Sequence, residues 1–184
     1  MTRIISGAAG GRRLVVPDAV TRPTSDRARE ALFSSLESLM DLQGARMLDL
    51  YAGSGAVGLE ALSRGAGHAL LVESDPRALA AIAENIESVD LPGAVVRRHA
   101  VEKLASMDAD EPYDVVFADP PYQLPATALA SALVQLWHRG WLSPGALLVV
   151  ERSSRDAEWE WPEPWEAVKS RQYGEAALWY GRKP

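Results

Sequence analysis

The segment that most limits the fold of this chain is MLDLYAGSGAVGLEAL, at residues 47–62. Its apolar first half predicts a buried strand, and Gly53, Gly55 and Gly58 follow at the spacing GxGxxG, where a helix is expected to begin. Glu73 lies twenty positions after Gly53, at the end of the next apolar run. Such glycines permit a tight turn and close approach of the backbone to a ligand, and such an acid can accept hydrogen bonds from ribose hydroxyls. The segment therefore predicts a nucleotide-cofactor site.

Alternating strands and helices extend through most of the chain. We expect strands at 46–51, 69–74, 94–98, 113–118 and 145–151, and helices at 55–65, 76–89, 101–106 and 125–139. These strands are almost wholly apolar, which is typical of a parallel sheet covered by helices on both faces. Two more strands joined by a tight turn, EAVKSRQYG and EAALWYGR, predict an antiparallel hairpin at the sheet edge. The pattern predicts an α/β fold with a doubly wound, seven-stranded, mostly parallel, Rossmann-like sheet.

The N-terminal segment differs from the rest in charge and pattern. RIISGAAGGRRLVVP predicts a small β-hairpin, and TRPTSDRAREALFSSL predicts a capped amphipathic helix. Residues 1–29 hold six arginines and two acids, although the whole chain has a net charge of −6. A local basic patch still attracts phosphate, because charges act within about one Debye length, roughly 8 Å. We expect a basic, RNA-binding hairpin at 1–20 and a main domain at 21–184; the alternative is a solvated basic tail.

Composition narrows the remaining possibilities. The chain has no cysteine, which excludes disulfides and thiolate chemistry and is compatible with a cytoplasmic location. Its three histidines lack metal-ligand spacing, so we expect no metal site. No apolar run reaches the length of a membrane span. We expect a cytoplasmic monomer without a membrane segment.

Acids at strand ends indicate which cofactor the crevice binds. Asp49, Glu73 and Asp119 all lie at the carboxyl ends of expected strands, near the same crevice. Clustered carboxylates repel the pyrophosphate of NAD and attract the sulfonium and ammonium groups of S-adenosylmethionine. We therefore favour S-adenosylmethionine, with amides at the helix start left free for its carboxylate.

The stretch FADPPY, residues 117–122, ends a buried strand on an acid, two prolines and an aromatic ring. Proline fixes its own φ and keeps the preceding residue extended, so Asp119 and Pro120 are held stiffly by Pro120 and Pro121. The Asp119 carboxylate and the Pro120 carbonyl then form two fixed acceptors, with Tyr122 as a flat face beside them. This arrangement suits a planar group with an exocyclic NH2, whose nitrogen would attack a methyl sulfonium held in line.

The stretches LDLYAGSGAVGLEALSRGA, VESDP and FADPPY together resemble the class I methyltransferases that use S-adenosylmethionine and act on amino groups. With RIISGAAGGRRLVVP and TRPTSDRAREALFSSL, nearly the whole chain is similar to the bacterial 16S ribosomal RNA guanine-N2 methyltransferases of the RsmD type. The resemblance implies methylation of the exocyclic amine of one guanine in 16S rRNA, within an assembling 30S particle.

The same resemblance implies roles for particular residues. The catalytic positions would be Asp119, Pro120, Pro121 and Tyr122. The cofactor would be lined by Asp49, Ala52, Gly53, Gly55, Glu73, Ser74, Asp75, His99, Ala100, Thr24 and Arg27. RNA phosphates would be contacted by Arg3, Arg12, Arg13 and Arg22. The chain departs from the family pattern at His99, where the family usually carries an acid that contacts the adenine amine.

Other functions stay open from the residues alone. A DNA adenine-N6 methyltransferase shares DPPY but usually carries an extra target-recognition segment, and a protein glutamine-N5 methyltransferase resembles NPPY instead. An NAD-dependent oxidoreductase would use the glycine loop, but nothing in the sequence supplies its proton donor. A non-catalytic RNA-binding protein would explain the arginines and leave the DPPY stretch unexplained.

Overall fold

The apolar runs and the turns between them set the order of the secondary-structure elements. The structure is a computed structural model that describes residues 2–17 and 24–184. The strands of the described residues are β1 (Thr2–Arg3), β2 (Arg13–Leu14), β3 (Arg46–Leu50), β4 (His68–Val72), β5 (Ala94–Arg97), β6 (Tyr113–Ala118), β7 (Leu142–Ser153), β8 (Glu166–Tyr173) and β9 (Ala176–Arg182). The helices are α1 (Asp26–Leu39), α2 (Ala56–Ser63), α3 (Pro76–Val89), α4 (Val101–Ala105) and α5 (Ala126–His138).

The main sheet has seven strands in the order β5-β4-β3-β6-β7-β9-β8. The first five are parallel to one another, whereas β9 is antiparallel to both β7 and β8. The chain runs outward from β3 to β5 and then returns to β6 on the other side of β3. Ligands of such sheets bind outside the carboxyl ends of the strands at this switch point.

Helices cover both faces of the sheet, so the core has two parts. One part packs α1, α2 and α3 on the sheet through residues such as Phe33, Leu59 and Ile82. The other packs α4 and α5 through residues such as Leu104 and Leu133. Strands covered on both faces must be apolar throughout, which explains why the sequence pattern is continuous rather than alternating.

The predicted fold class is confirmed, with differences only at element ends. Helix α2 begins at Ala56 rather than at residue 55, because Gly55 is its N-cap and has a left-handed φ of 83°. Strand β7 runs from Leu142 to Ser153, beyond the expected 145–151, and its second half pairs with β9 as far as Ser153. None of the helices among residues 2–17 and 24–184 has the length and hydrophobicity to span a bilayer.

The N-terminal hairpin, formed by β1 and β2, is docked on the main sheet through α2. The buried Glu60 carboxylate accepts hydrogen bonds from Ile5 N at 2.9 Å and Ser6 N at 3.1 Å, and it lies 3.4 Å from Nε of the buried Arg29. Ile4 and Leu14 of the hairpin belong to the same apolar core as α1 and α2. The hairpin therefore has a fixed position relative to the main sheet. The division of the chain near residue 20 stays a prediction.

Candidate active site

Two adjoining cavities open at the carboxyl ends of β3 and β6. The first, of about 410 Å³, is lined by the glycine loop and the ends of β4 and β5. The second, of about 490 Å³, is lined by the DPPY stretch, the end of β7 and the turn between β8 and β9. Both volumes are within the usual range of small-molecule sites, about 300–1,000 Å³. Thr24, Asp119, Pro121 and Gln123 line both cavities, so the two spaces meet there.

The glycine loop links the end of β3 to the start of α2. Gly53 and Gly55 both have positive φ, and Gly55 N donates to Ala52 O at 2.8 Å, which closes the turn. Gly58 must lack a side chain, because a Cβ there would lie 2.2 Å from Cδ2 of the buried Leu71. These are the tight turn and the close helix–strand packing that the GxGxxG spacing predicts.

Asp49 is a fully enclosed acid beneath this loop. Its Oδ2 accepts a hydrogen bond from Gly58 N at 3.0 Å, and the residue is 1% exposed. Burial raises the pKa of Asp49 well above its ordinary value; the Gly58 hydrogen bond lowers it in part, and the charge of Glu73 raises it further. A buried carboxyl of this kind is stabilised in its ionised form by a cation, such as the ammonium of an amino acid.

Glu73 holds the loops on both sides of the first cavity. Its Oε1 accepts from Gly53 N at 2.8 Å, and its Oε2 accepts from Ser74 N at 2.8 Å and Asp75 N at 3.0 Å. The acid at this position therefore fixes the glycine loop to the end of β4. Its hydrogen bonds to ribose hydroxyls stay a prediction.

Most of the other predicted cofactor residues line the first cavity. They are Ala52, Ser74, Asp75, His99, Ala100 and Thr24. Gly55 shapes the turn without lining the cavity, and Arg27 lies at the second cavity instead. Asp75 is the N-cap of α3 and accepts from Arg77 N at 2.8 Å; that neighbouring arginine lowers the pKa of Asp75.

The DPPY stretch lies at the junction of the two cavities. Asp119 directly follows β6, Pro120 is buried, and Tyr122 is 59% exposed beside the second cavity. Such exposure is unusual for a large aromatic ring and leaves the ring available for stacking. The arrangement brings together the four residues predicted to hold an amine; the roles of the Pro120 carbonyl and of Tyr122 stay predictions.

Glu151 is a site residue that the sequence interpretation missed. It is 8% exposed, lies near the end of β7 and lines the second cavity. Thr24 Oγ1 lies 3.1 Å from Asp119 Oδ2 and 3.3 Å from Glu151 Oε2, so one hydroxyl contacts both acids. The available signal was the acid at the end of the apolar run LLVVE, which matches Asp119 at the end of VVFAD.

The arginines predicted to bind RNA have different surroundings. Arg3, Arg12 and Arg13 are exposed on the N-terminal hairpin, and Arg12 Nη1 donates to Ser88 O at 3.0 Å. Arg22 lies outside the described residues. Val16 and Pro17, which follow the hairpin, line the first cavity, so the basic hairpin is joined to a segment that borders this cavity. Among residues 2–17 and 24–184, no cluster of three or more His, Cys, Asp or Glu could hold a metal ion.

Comparisons with known proteins agree with this geometry. Residues 2–182 match the family model described as conserved hypothetical protein 95. Ribosomal RNA small subunit methyltransferase D of Escherichia coli is 37% identical over 177 residues, which cover 95% of this chain and 86% of that protein. The protein of the same name from Haemophilus influenzae is 33% identical over 176 residues, covering 94% and 89%. A solved structure described as the putative methyltransferase yhhF from Escherichia coli has a TM-score of 0.87 and 34% identity, covering 99% of this chain and 97% of that one.

Proposed function

We propose that this chain methylates small-subunit ribosomal RNA with S-adenosylmethionine as the donor. The premise is that the chain belongs to the family described as conserved hypothetical protein 95. The family resemblance drawn from the sequence is confirmed by that match. At the finer level, we propose that the target is the exocyclic N2 amine of one guanine in 16S rRNA, modified in the cytoplasm within an assembling 30S particle.

The meeting of two cavities at one acid is the observation that carries this proposal. Methyl transfer to an amine needs a donor and an acceptor held on opposite sides of a single point. Asp119 borders both the cavity of the glycine loop and the cavity of Tyr122. A donor in the first space and a base in the second would therefore meet beside the Asp119 carboxyl.

The residues of the first cavity fit S-adenosylmethionine. The buried Asp49 carboxyl suits the ammonium group. The amides of the three loop glycines are already bonded, so the N-terminus of α2, where Ala56 and Val57 line the cavity, suits the carboxylate. Glu73 is suited to the ribose, and Ser74, Asp75, His99 and Ala100 form the side where the adenine would lie. When bound, this donor supplies a methyl group on a positively charged sulfur.

The second cavity would orient the acceptor. Tyr122 stacks on the base, while the Asp119 carboxyl and the Pro120 carbonyl accept the two amine hydrogens. Two acceptors on one side of the plane of the base favour a pyramidal amine nitrogen. The lone pair of that nitrogen is then free to attack the methyl group of the donor. Such positioning contributes up to about 7–11 kcal/mol in well-oriented reactions.

Labelled methyl transfer to small ribosomal subunits from a strain that lacks the gene tests the proposal directly. We expect incorporation into one nucleoside, N2-methylguanosine, identified after nuclease digestion. Asp119→Ala should abolish this transfer and leave donor binding nearly unchanged, because only the amine loses its acceptor. Asp110→Ala, at an exposed acid remote from both cavities, is the matched control. Substantial turnover by Asp119→Ala would remove Asp119 from the mechanism.

Rival functions give different results in the same assays. S-adenosylmethionine, and not NAD, should raise the melting temperature; the opposite result would indicate an oxidoreductase. Methylated adenine in DNA, or a methylated glutamine in protein, would indicate the alternative amine substrates. RNA binding without methyl transfer would leave the protein a binding module.

A further inference from the structure

Two acids face each other at the junction of the cavities with only one hydroxyl between them. The Asp119 and Glu151 carboxyl groups both line the second cavity, and they lie close enough for each to perturb the pKa of the other. Thr24 Oγ1 lies within hydrogen-bond distance of both, but a hydroxyl has one hydrogen and can donate to only one of them at a time. Glu151 Oε1 is buried and has no hydrogen-bond partner. The described residues therefore supply too few hydrogen-bond donors to stabilise two ionised carboxylates at this point.

Among residues 2–17 and 24–184, no cation forms an ion pair with either acid. Among the described residues, the other charged or titratable groups beside these two acids are Asp49, Arg27, Tyr122, Arg152, Tyr173 and Glu175. Arg27 is exposed, and the Arg152 guanidinium instead donates to Leu124 O at 3.0 Å and pairs with Asp156. Two adjacent carboxyls without a cation cannot both ionise cheaply.

We propose that Asp119 and Glu151 hold one proton between them, and that Glu151 is thereby a positioning residue for methyl transfer. The catalytic part of this role rests on the function proposed above. The shared proton supplies the hydrogen that Thr24 lacks, and it fixes the Asp119 carboxyl relative to β7. The other Asp119 oxygen then remains an acceptor for the amine.

The single negative charge of the pair also balances the single positive charge that moves from sulfur to nitrogen during methyl transfer. In the transfer, the amine lone pair forms the N–CH3 bond, and the S–CH3 bond breaks with its electrons left on sulfur. The sulfonium charge thus moves to the nitrogen, which then loses one proton to the carboxyl pair. A pair with one negative charge takes up this proton and becomes neutral, so the pair and the reacting groups together carry no net charge before or after transfer. A pair with two negative charges would leave one of them uncompensated beside the buried Asp49.

The direction of the pKa shifts agrees with this geometry. Burial raises the pKa of Asp119 well above its usual value, and the charge of Glu151 raises it further. Burial also raises the pKa of Glu151, although its hydrogen bond with Asp119 lowers it in part. Groups coupled in this way titrate as a pair, in two steps.

Infrared difference spectra of the protein alone test the shared proton without any substrate. At neutral pH, the wild-type protein should show a protonated-carboxyl band that is absent from both Glu151→Gln and Asp119→Asn. Glu160→Gln, at an exposed acid, should retain the band. A band lost only in Asp119→Asn would place the proton on Asp119 alone, and a band unchanged in all variants would show that neither acid holds it. Either result would overturn the inference and leave the proposed function intact.

Thermal unfolding against pH gives a second readout in the absence of substrate. A carboxyl whose pKa is raised on folding contributes stability below its unfolded pKa and loses it as pH rises through the folded value. Glu151→Gln removes one such group, so its melting temperature relative to wild type should increase as pH rises above the ordinary pKa of a glutamate. A purely structural role would give the same difference at every pH, which would contradict the inference.

Activity then separates positioning from packing. Glu151→Gln retains the side-chain shape and can donate its amide hydrogen to Asp119, so it should keep methyl transfer within about tenfold of wild type. Glu151→Ala leaves Asp119 without its partner and should lower kcat by about 10–100-fold, the usual effect of losing one hydrogen bond to a charged group. Equal losses in both variants would contradict the positioning role.

Discussion

Asn85 joins the basic hairpin to the glycine loop, and its removal should weaken both. This fully buried side chain of α3 accepts from Val15 N at 2.7 Å and donates to Val15 O and Ser54 O, each at 2.8 Å. Val15 lies just after β2, and Ser54 lies between the two loop glycines. One amide therefore connects the N-terminal hairpin to the glycine loop.

The expected cost of Asn85→Ala follows from these three hydrogen bonds. Each is worth about 0.5–1.5 kcal/mol net. Val15 is 42% exposed, so water can reach its freed backbone groups, whereas Ser54 is 7% exposed and its carbonyl stays unpaired. We expect a loss of about 2–3 kcal/mol in the free energy of unfolding, or roughly 5–10 °C in melting temperature for a chain of this size.

Urea unfolding and calorimetry would measure this loss, with Ser88→Ala as the matched control. Ser88 also lies on α3 beside the hairpin, but it is exposed and its hydrogen bond to Arg13 O is long, at 3.5 Å. The control should lose less than about 0.5 kcal/mol, as exposed substitutions usually do. Under conditions where both variants stay folded, Asn85→Ala alone should bind S-adenosylmethionine and RNA more weakly. A loss within 0.5 kcal/mol (about the error of such measurements) would refute the assigned role.

Two further predictions concern the cofactor cavity and the basic hairpin. Because the pKa of Asp49 is raised, the affinity for S-adenosylmethionine should increase with pH as Asp49 ionises, and Asp49→Asn should bind weakly at every pH. Calorimetric titration at several pH values would measure this dependence. A wild-type affinity that does not change with pH would contradict it. Reversing the charges of Arg12 and Arg13 should weaken RNA binding and reduce the slope of log K against log salt by about 0.7–0.9 per lost phosphate contact. The matched control is Arg139→Glu, at the C-cap of α5. An unchanged slope in the hairpin variant would indicate that the hairpin is structural and does not bind RNA.

Local patterns were sufficient to predict the fold, whereas the roles assigned to the site residues stay predictions. Continuous apolar runs specify buried parallel strands, and the GxGxxG and DPPY stretches are short enough to fix their own geometry. The pairing of β9, rather than β8, with β7 has a visible cause, since β9 is largely buried whereas β8 is largely exposed. That difference can be read from ALWY against KSRQ.

The rest of the site depends on contacts between distant parts of the chain. Glu151 becomes a partner of Asp119 only because β7 lies beside β6, and Thr24 reaches them from a segment 95 residues before Asp119. Asn85 lies 70 residues from Val15, and its position on a helix gives no sign of which backbone it will satisfy. Spacing rules describe single elements, so such contacts follow only once the packing of the elements is known.

The shared wall between the cavities makes this protein open to inhibitors that mimic both reactants at once. Thr24, Asp119, Pro121 and Gln123 border both spaces, so ligands in the two cavities would approach each other beside these residues. A compound that joins an adenosine analogue to a purine through a short, uncharged link would make the second binding event intramolecular, which increases affinity without any new contact. The gain is largest when the length of the link matches the span between the two sites, so affinity would depend on link length.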